Sequence, residues 1–144
     1  MYQDFFDKDK CPYEKRNTFA NQYFFTHLAL IPYYKLFFRM EVKGRENIPS
    51  KDGVIYASTH CSYHDPPLLA AATELHIAYM AKKELFSVPI LSWGIRGLGA
   101  FPVNREKLEI STIKIAKRIL NSKGWNLGIF PQGTRIMDGS LGEI

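Results

Sequence analysis

Two histidines and an aspartate lie close together in the segment HCSYHD, which two prolines follow directly. His60 and His64 are four residues apart, and on a helix this spacing would place both rings on one face as zinc ligands. However, a proline after Asp65 disfavours helical geometry at that residue, and no further metal ligand with suitable spacing follows. The pattern does not favour a metal site, and we predict none.

A histidine–aspartate pair is a second use for these residues. Asp65 follows His60 by five residues across an expected turn, so its carboxylate can fold back and hold the imidazole. Such a carboxylate fixes the ring tautomer and stabilises the imidazolium that forms when the other nitrogen takes a proton. The pair would be a general base without its own nucleophile, which suits attack by a substrate hydroxyl.

Two alternatives stay open for this loop. Cys61 could be a nucleophile with His64 as its base, although nothing in the sequence indicates an activated thiol. Asp65 could instead be the N-cap of a helix that has Pro66 in its first turn. An N-cap would explain Asp65 but not His60.

Two later segments end in arginine, namely GAFPVNR, which ends at Arg105, and FPQGTR, which ends at Arg135. The planar guanidinium group of arginine matches the oxygens of a phosphate. Gly133 and Thr134 add backbone N–H groups and a hydroxyl in a predicted turn. Either arginine alone could form a surface salt bridge. Together, the two segments predict a phosphate-binding site.

The elements that must position these residues alternate between strands and helices. Helices are predicted over 68–76 and 107–124, with a helical or broken segment over 84–99 between them. The alternation predicts an α/β fold with a mostly parallel sheet flanked by helices, whose sites lie at the carboxyl ends of the strands. The predicted strands cover 54–58, 77–81, 100–103 and 125–130.

The N-terminal part of the chain is rich in aromatic residues. We predict N-terminal helices over 1–41, divided by Pro32 into a hairpin, and an α/β domain over 42–144. Aromatic helices flanked by lysine and arginine suit the interface of an anionic membrane. The alternative is a hairpin packed on the protein's own core. Several polar residues make a membrane span the less favoured interpretation.

Composition limits the classes of partner and compartment. The 144 residues carry a net charge of +5, which favours an anionic partner. We expect no nucleic-acid partner, because Lys114, Lys117 and Arg118 are more simply a solvated helix face. Two cysteines are too few for a disulfide framework, and the first residues lack the pattern of a signal peptide. A reducing compartment is therefore expected.

Taken together, the motifs resemble those of the glycerolipid acyltransferases, the 1-acylglycerol-3-phosphate acyltransferases and their relatives. HCSYHD matches the first motif of that family, H-x4-D. GAFPVNR resembles the second motif and FPQGTR the third, while MAKKELF resembles a segment common between the first two. Because the motifs occur in the family's order, the resemblance is specific, and it covers most of the chain.

The resemblance implies transfer of an acyl group from a thioester, on coenzyme A or acyl carrier protein, to a hydroxyl of lysophosphatidate or a similar acceptor. His60 would deprotonate the hydroxyl and Asp65 would orient His60. No metal or organic cofactor is implied, and the protein would be associated with a phospholipid membrane with its active site facing the cytoplasm. The residues implied to hold the acceptor's phosphate are Lys82, Arg105, Gly133, Thr134 and Arg135.

The chain departs from the family pattern in two ways. Gln132 replaces the usual glutamate of the third motif, which removes a charge. The chain also stops where family members continue through a fourth motif, so we expect weak activity or low stability. Both departures favour an alternative function, that of a non-catalytic relative that binds phospholipid membranes, whereas the intact His60 and Asp65 oppose it. Acyl-chain length and oligomeric state are left open.

Overall fold

Four parallel strands form the centre of the structure, a computed structural model that describes residues 11–14, 16–104, 109–138 and 140. The strands lie in the order β1-β4-β2-β3, and all pairs of neighbours are parallel. This confirms the predicted α/β fold with a parallel sheet. The strands are β1 (Ile55–Ala57), β2 (His76–Lys82), β3 (Phe101–Val103) and β4 (Trp125–Ile129).

Helices connect the strands as a parallel sheet requires. α3 (Asp65–Thr73) follows β1, α4 (Pro89–Gly97) follows β2, and α5 (Ile110–Asn121) follows β3. The helix predicted over 68–76 therefore begins and ends three residues earlier. Prolines are tolerated in a first turn, where backbone N–H groups have no intrahelical partner. The helix ends because Glu74 adopts a left-handed conformation, with φ of 58°.

The main core lies between one face of the sheet and α5. Ala78, Trp125 and Leu127 alternate along β2 and β4 so that their side chains share a face. Ile115 and Ile119 of α5 pack against them, and both are almost completely buried. Phe101, Val103, Cys11 and Tyr13 complete this cluster. The core thus packs the strands whose carboxyl ends lead into the predicted site residues.

The N-terminal segment is helical, as predicted, but Pro32 does not divide its described part into a hairpin. α1 (Arg16–Phe25) leads through a π-helical turn (Thr26–Leu30) into α2 (Ile31–Phe37). The backbone stays right-handed helical at both junctions, and the Ile31 N–H donates to the Thr26 carbonyl. Pro32 falls in the first turn of α2, where its missing N–H does no harm, so the helical segment continues without reversing.

This helical segment contains both buried residues and exposed large apolar residues. Gln22, Thr26 and Tyr34 are buried, and Gln22 Nε2 donates to the carbonyls of Ile77 at 2.9 Å and Leu98 at 2.8 Å. Other positions of the segment expose large apolar side chains to solvent, namely Phe24, Leu28, Leu36, Phe37 and Phe38. Within the described ranges, no helix is both long and apolar enough to cross a membrane. The domain division at residue 41 stays a prediction.

Gly128 in β4 makes room for a large side chain on the second face of the sheet. A Cβ atom at this position would lie 2.5 Å from Cε1 of Tyr79 and 2.9 Å from Cγ2 of Ile77. We expect Gly128→Ala to lower the free energy of unfolding by about 1 to 3 kcal/mol through overpacking, as measured by urea denaturation.

Gly94→Ala is the matched control for this substitution. A Cβ at Gly94 would meet nothing within 4 Å among the described atoms, and Gly94 lies inside α4. Helix propensity favours alanine there by roughly 1 kcal/mol, so stability should be unchanged or higher. Equal stabilities of the two variants would contradict the packing argument for Gly128.

Candidate active site

The first and third motifs meet because β1 and β4 are neighbours in the sheet. The Ser58 N–H donates to the Ile129 carbonyl at 3.1 Å, which continues the pairing one residue past β1. The Ile136 N–H then donates to the His60 carbonyl at 2.8 Å. These two hydrogen bonds hold the loop after β1 against the loop after β4. His60 and Arg135 thus lie at the same edge of the sheet.

The hydrogen bond predicted between His60 and Asp65 is present in the structure. Nδ1 of His60 lies 2.8 Å from Oδ2 of Asp65. The same oxygen accepts from the backbone N–H groups of Cys61 and Ser62, each at 2.7 Å. Three donors from one short loop therefore converge on a single carboxylate oxygen and hold it against the imidazole.

Asp65 does not have the position that either sequence argument gave it. The residue before a proline was expected to lie outside the helix, but Asp65 is the first residue of α3 and His64 is the N-cap. The N-cap interpretation of Asp65 is also wrong, because its carboxylate accepts from residues that precede the helix. The carboxylate turns back toward the loop because a loop N–H pair and the His60 ring are available there.

The surroundings of Asp65 favour its ionised form. Partial burial raises the pKa of the Asp65 carboxyl, but hydrogen bonds from the Ser62 N–H, the His60 ring and the Cys61 N–H together lower it below its usual value. The group is therefore a carboxylate at neutral pH. A carboxylate beside Nδ1 keeps a proton on that nitrogen, which leaves Nε2 of His60 to accept one.

Aromatic packing restrains the His60 ring. The imidazole stacks on Phe130, with ring centroids 4.2 Å apart and planes 22° apart. Phe130 in turn stacks on Tyr79 at 6.2 Å. The His60 side chain keeps 12% of its surface exposed, so the ring is held in place and is still reachable from solvent. A ring restrained in this way loses little further conformational freedom when a ligand binds to it.

The residues predicted to bind phosphate differ in how the structure places them. Arg135 is exposed, and its Cζ lies 3.6 Å from the centroid of the Tyr63 ring. Lys82 is the last residue of β2 and lies at the same edge of the sheet, and its Nζ lies 3.9 Å from Oε2 of Glu84. Thr134 is exposed in the loop after β4. Arg105 lies outside the described residues.

Gly133 occupies a tight turn after β4. Its φ is 66°, a conformation that glycine adopts without steric cost. Its N–H donates to the Phe130 carbonyl at 3.0 Å, so this predicted anion donor already has a partner within the turn. The structural contribution of Gly133 is to bend the chain so that Thr134 and Arg135 follow at the site.

Tyr34 contacts the loop between β1 and α3, and the sequence did not predict this contact. Its hydroxyl lies 3.0 Å from Nδ1 of His64, and its side chain is buried. His64, considered above as a base for Cys61, is therefore engaged by the N-terminal helical segment instead. Among the residues that the structure describes, no group of three or more His, Cys, Asp or Glu could hold a metal ion.

A family model described as Acyltransferase matches residues 39–144. The chain therefore belongs to the acyltransferase family. It is 39% identical over 92 residues to the 1-acyl-sn-glycerol-3-phosphate acyltransferase of Streptococcus pneumoniae, which covers 62% of this chain and 35% of the relative. It is 38% identical over 97 residues to the protein of the same name in Bacillus subtilis, which covers 67% and 48%.

A plant relative matches a longer part of the chain. The chain is 30% identical over 120 residues to the chloroplastic 1-acyl-sn-glycerol-3-phosphate acyltransferase LPAT1 of Arabidopsis thaliana, which covers 81% of this chain and 32% of the relative. The chain thus spans a third to a half of the length of these curated relatives. No solved structure matches it at a significant level.

Proposed function

We propose that this protein transfers a fatty acyl group from a thioester donor, acyl-CoA or acyl carrier protein, to a hydroxyl of lysophosphatidate or a related glycerol phosphate. The observation that carries the proposal is the 2.8 Å hydrogen bond between His60 and Asp65, at the edge of the sheet where Arg135 also lies. The names of the relatives, which specify 1-acyl-sn-glycerol-3-phosphate as acceptor, support the choice of acceptor.

The reaction follows from the arrangement of the pair. Nε2 of His60 takes the proton of the acceptor hydroxyl as the oxygen attacks the thioester carbonyl. The tetrahedral intermediate collapses, the carbon–sulfur bond breaks, and the imidazolium returns its proton to the leaving thiolate. Asp65 holds Nδ1–H and stabilises the imidazolium in between. Because a thioester is already activated, the proposal requires no metal or organic cofactor.

The acceptor's phosphate is proposed to bind to the cationic residues at this edge of the sheet. Arg135 would bind it together with Lys82 and Thr134, and Arg105, which lies outside the described residues, is proposed as a further ligand. Fixing the phosphate places the acceptor hydroxyl near Nε2 of His60. Positioning of this kind makes a bimolecular step effectively unimolecular and lowers the activation free energy of acyl transfer by roughly several kcal/mol.

A membrane surface is the proposed location of the reaction. The N-terminal helical segment exposes Leu36, Phe37 and Phe38, and Lys35 and Arg39 lie beside them. Apolar side chains flanked by cations suit an anionic bilayer surface, where the lipid acceptor is found. The active site would face the cytoplasm, where thioester donors are available.

An acyl-transfer assay on vesicles tests the proposal. The purified chain is mixed with anionic vesicles that contain lysophosphatidate, and radiolabelled acyl-CoA or acyl carrier protein is supplied separately. We expect labelled phosphatidate above the protein-free background with at least one donor. Lysophosphatidylcholine serves as the matched acceptor, because choline covers the phosphate and removes a charge, and we expect it to react poorly.

Sedimentation of the protein with the same vesicles tests membrane binding independently. Binding without product, from either donor and with a folded sample, would contradict the proposed catalysis. That result would favour the non-catalytic membrane-binding relative instead. Product formation by protein that stays in the supernatant would contradict the membrane location alone.

A further inference from the structure

Tyr63 and Arg135 form a contact that the reaction scheme does not use. Cζ of Arg135 lies 3.6 Å from the centroid of the Tyr63 ring. This is the separation of two carbon atoms in van der Waals contact, so the guanidinium lies over the ring face. A guanidinium turned edge-on would place a nitrogen too close to the ring. The contact is therefore a cation–π stack.

The stack is not part of the hydrophobic core. Tyr63 is 74% exposed, and Arg135 is exposed as well. Across the described ranges, no carboxylate lies within ion-pair distance of Arg135. Folding alone thus gives no reason for the contact, and substitution of Tyr63 should leave the fold intact.

The two residues come from the two loops that meet at the site. Tyr63 lies between His60 and Asp65, and Arg135 follows β4. The hydrogen bond from the Ile136 N–H to the His60 carbonyl, 2.8 Å long, holds these loops together. A ring carried by the catalytic loop therefore sets where the guanidinium stands relative to the general base.

Stacking leaves the useful donors of arginine available. The ring covers one face of the guanidinium, while its N–H groups lie in the plane and can still reach two oxygens of a phosphate. A long side chain held in this way also loses less conformational entropy when the ligand binds. We propose that Tyr63 is a positioning residue, whose ring holds Arg135 ready for the acceptor's phosphate. This inference rests on the proposed function.

A double-mutant cycle tests the inference. Binding of lysophosphatidate in neutral phosphatidylcholine vesicles is measured for the wild type, Tyr63→Leu, Arg135→Ala and the double variant. We expect Tyr63→Leu to raise the Kd about two- to fivefold, the scale of an exposed cation–π contact. In the Arg135→Ala background the same change should have no further effect, because Tyr63 acts through Arg135.

Two further measurements separate positioning from a general structural effect. Tyr63→Phe keeps the ring and removes only the hydroxyl, so it should bind lysophosphatidate as the wild type does. In the acyl-transfer assay, Tyr63→Leu should raise the acceptor KM by the same factor as the Kd and leave kcat unchanged. Equal melting temperatures of all variants would show that the fold is retained.

The outcomes distinguish this inference from the proposed function. If the wild type binds lysophosphatidate and Tyr63→Leu binds it equally well, only the inference is overturned. The inference alone is also overturned if Tyr63→Leu weakens binding by the same factor in the wild-type and Arg135→Ala backgrounds. If the wild type binds lysophosphatidate no better than lysophosphatidylcholine, both the proposed acceptor and the role of Tyr63 are overturned.

Discussion

Replacing His60 with alanine is expected to lower kcat for acyl transfer by about 10²- to 10⁴-fold, the usual contribution of a general base. The acceptor hydroxyl is a weak nucleophile until its proton is removed, and His60, which Asp65 holds at 2.8 Å, is the proposed base. The acceptor KM should change little, because the proposed phosphate contacts lie on other residues. Initial rates at saturating acceptor, with the vesicles described above, provide the measurement.

Cys61→Ala is the matched control, and it also tests the thiol alternative. The Cys61 side chain is exposed beside His60, while only its backbone N–H contacts Asp65. Alanine keeps that N–H and removes the thiol, so turnover should be unchanged. Loss of activity in Cys61→Ala together with activity retained in His60→Ala would reverse the assignment and make the thiol the reacting group.

The strands and the His60–Asp65 contact were predictable because both depend on short-range sequence features. Buried strands show as apolar runs between turn residues, and parallel strands necessarily end at one edge of the sheet. His60 and Asp65 are five residues apart in a loop, so their contact needs no knowledge of the rest of the fold. The local sequence therefore predicted the His60–Asp65 pair. The alternation of strands and helices predicted the edge of the sheet where the pair lies.

The contacts that depend on strand order could not be predicted. Alternating strands and helices are compatible with several orders of strands, and only the neighbouring positions of β1 and β4 bring Tyr63 and Arg135 together. The hydrogen bond between Tyr34 and His64 likewise depends on how the N-terminal helix packs against α3. No periodicity in the sequence encodes these distances.

The two errors around prolines have a common physical cause. Proline excludes a hydrogen bond and restricts the residue before it, which suggests a boundary at each proline. At Pro32 the preceding π-helical turn removes the need for a break, and before Pro66 the helix already begins at Asp65. Whether a proline ends a helix therefore depends on the conformation of the residues before it. The presence of a proline in the sequence does not specify that conformation.

Asp65→Asn is expected to lower kcat by roughly 10²- to 10⁴-fold while leaving the acceptor Kd unchanged. Asparagine has nearly the same shape, so the loop can keep its geometry. Its amide can donate to Nδ1 of His60, which would move the ring proton to Nε2 and remove the base. The charge that stabilises the imidazolium is lost as well. A variant with wild-type kcat would contradict the orienting role of Asp65.

The same substitution separates catalysis from stability through pH. Because the folded pKa of Asp65 is lowered, its carboxylate stabilises the fold above the unfolded pKa of about 3.9, and this contribution is lost as pH falls through the folded pKa. We expect Asp65→Asn to unfold about 1 to 3 kcal/mol more easily than wild type at pH 7, the scale of hydrogen bonds to a charged group.

Acidification should remove this difference. Urea unfolding of both proteins from pH 7 to well below the unfolded pKa of about 3.9 would show the two free energies converging in the acid range, as the carboxylate becomes protonated. A difference that stays constant over this range would mean that the shape of the side chain, and not its charge, stabilises the loop. In that case the three hydrogen bonds to Oδ2 would still position His60, but the ionised state of Asp65 would no longer explain how the ring is poised to accept a proton.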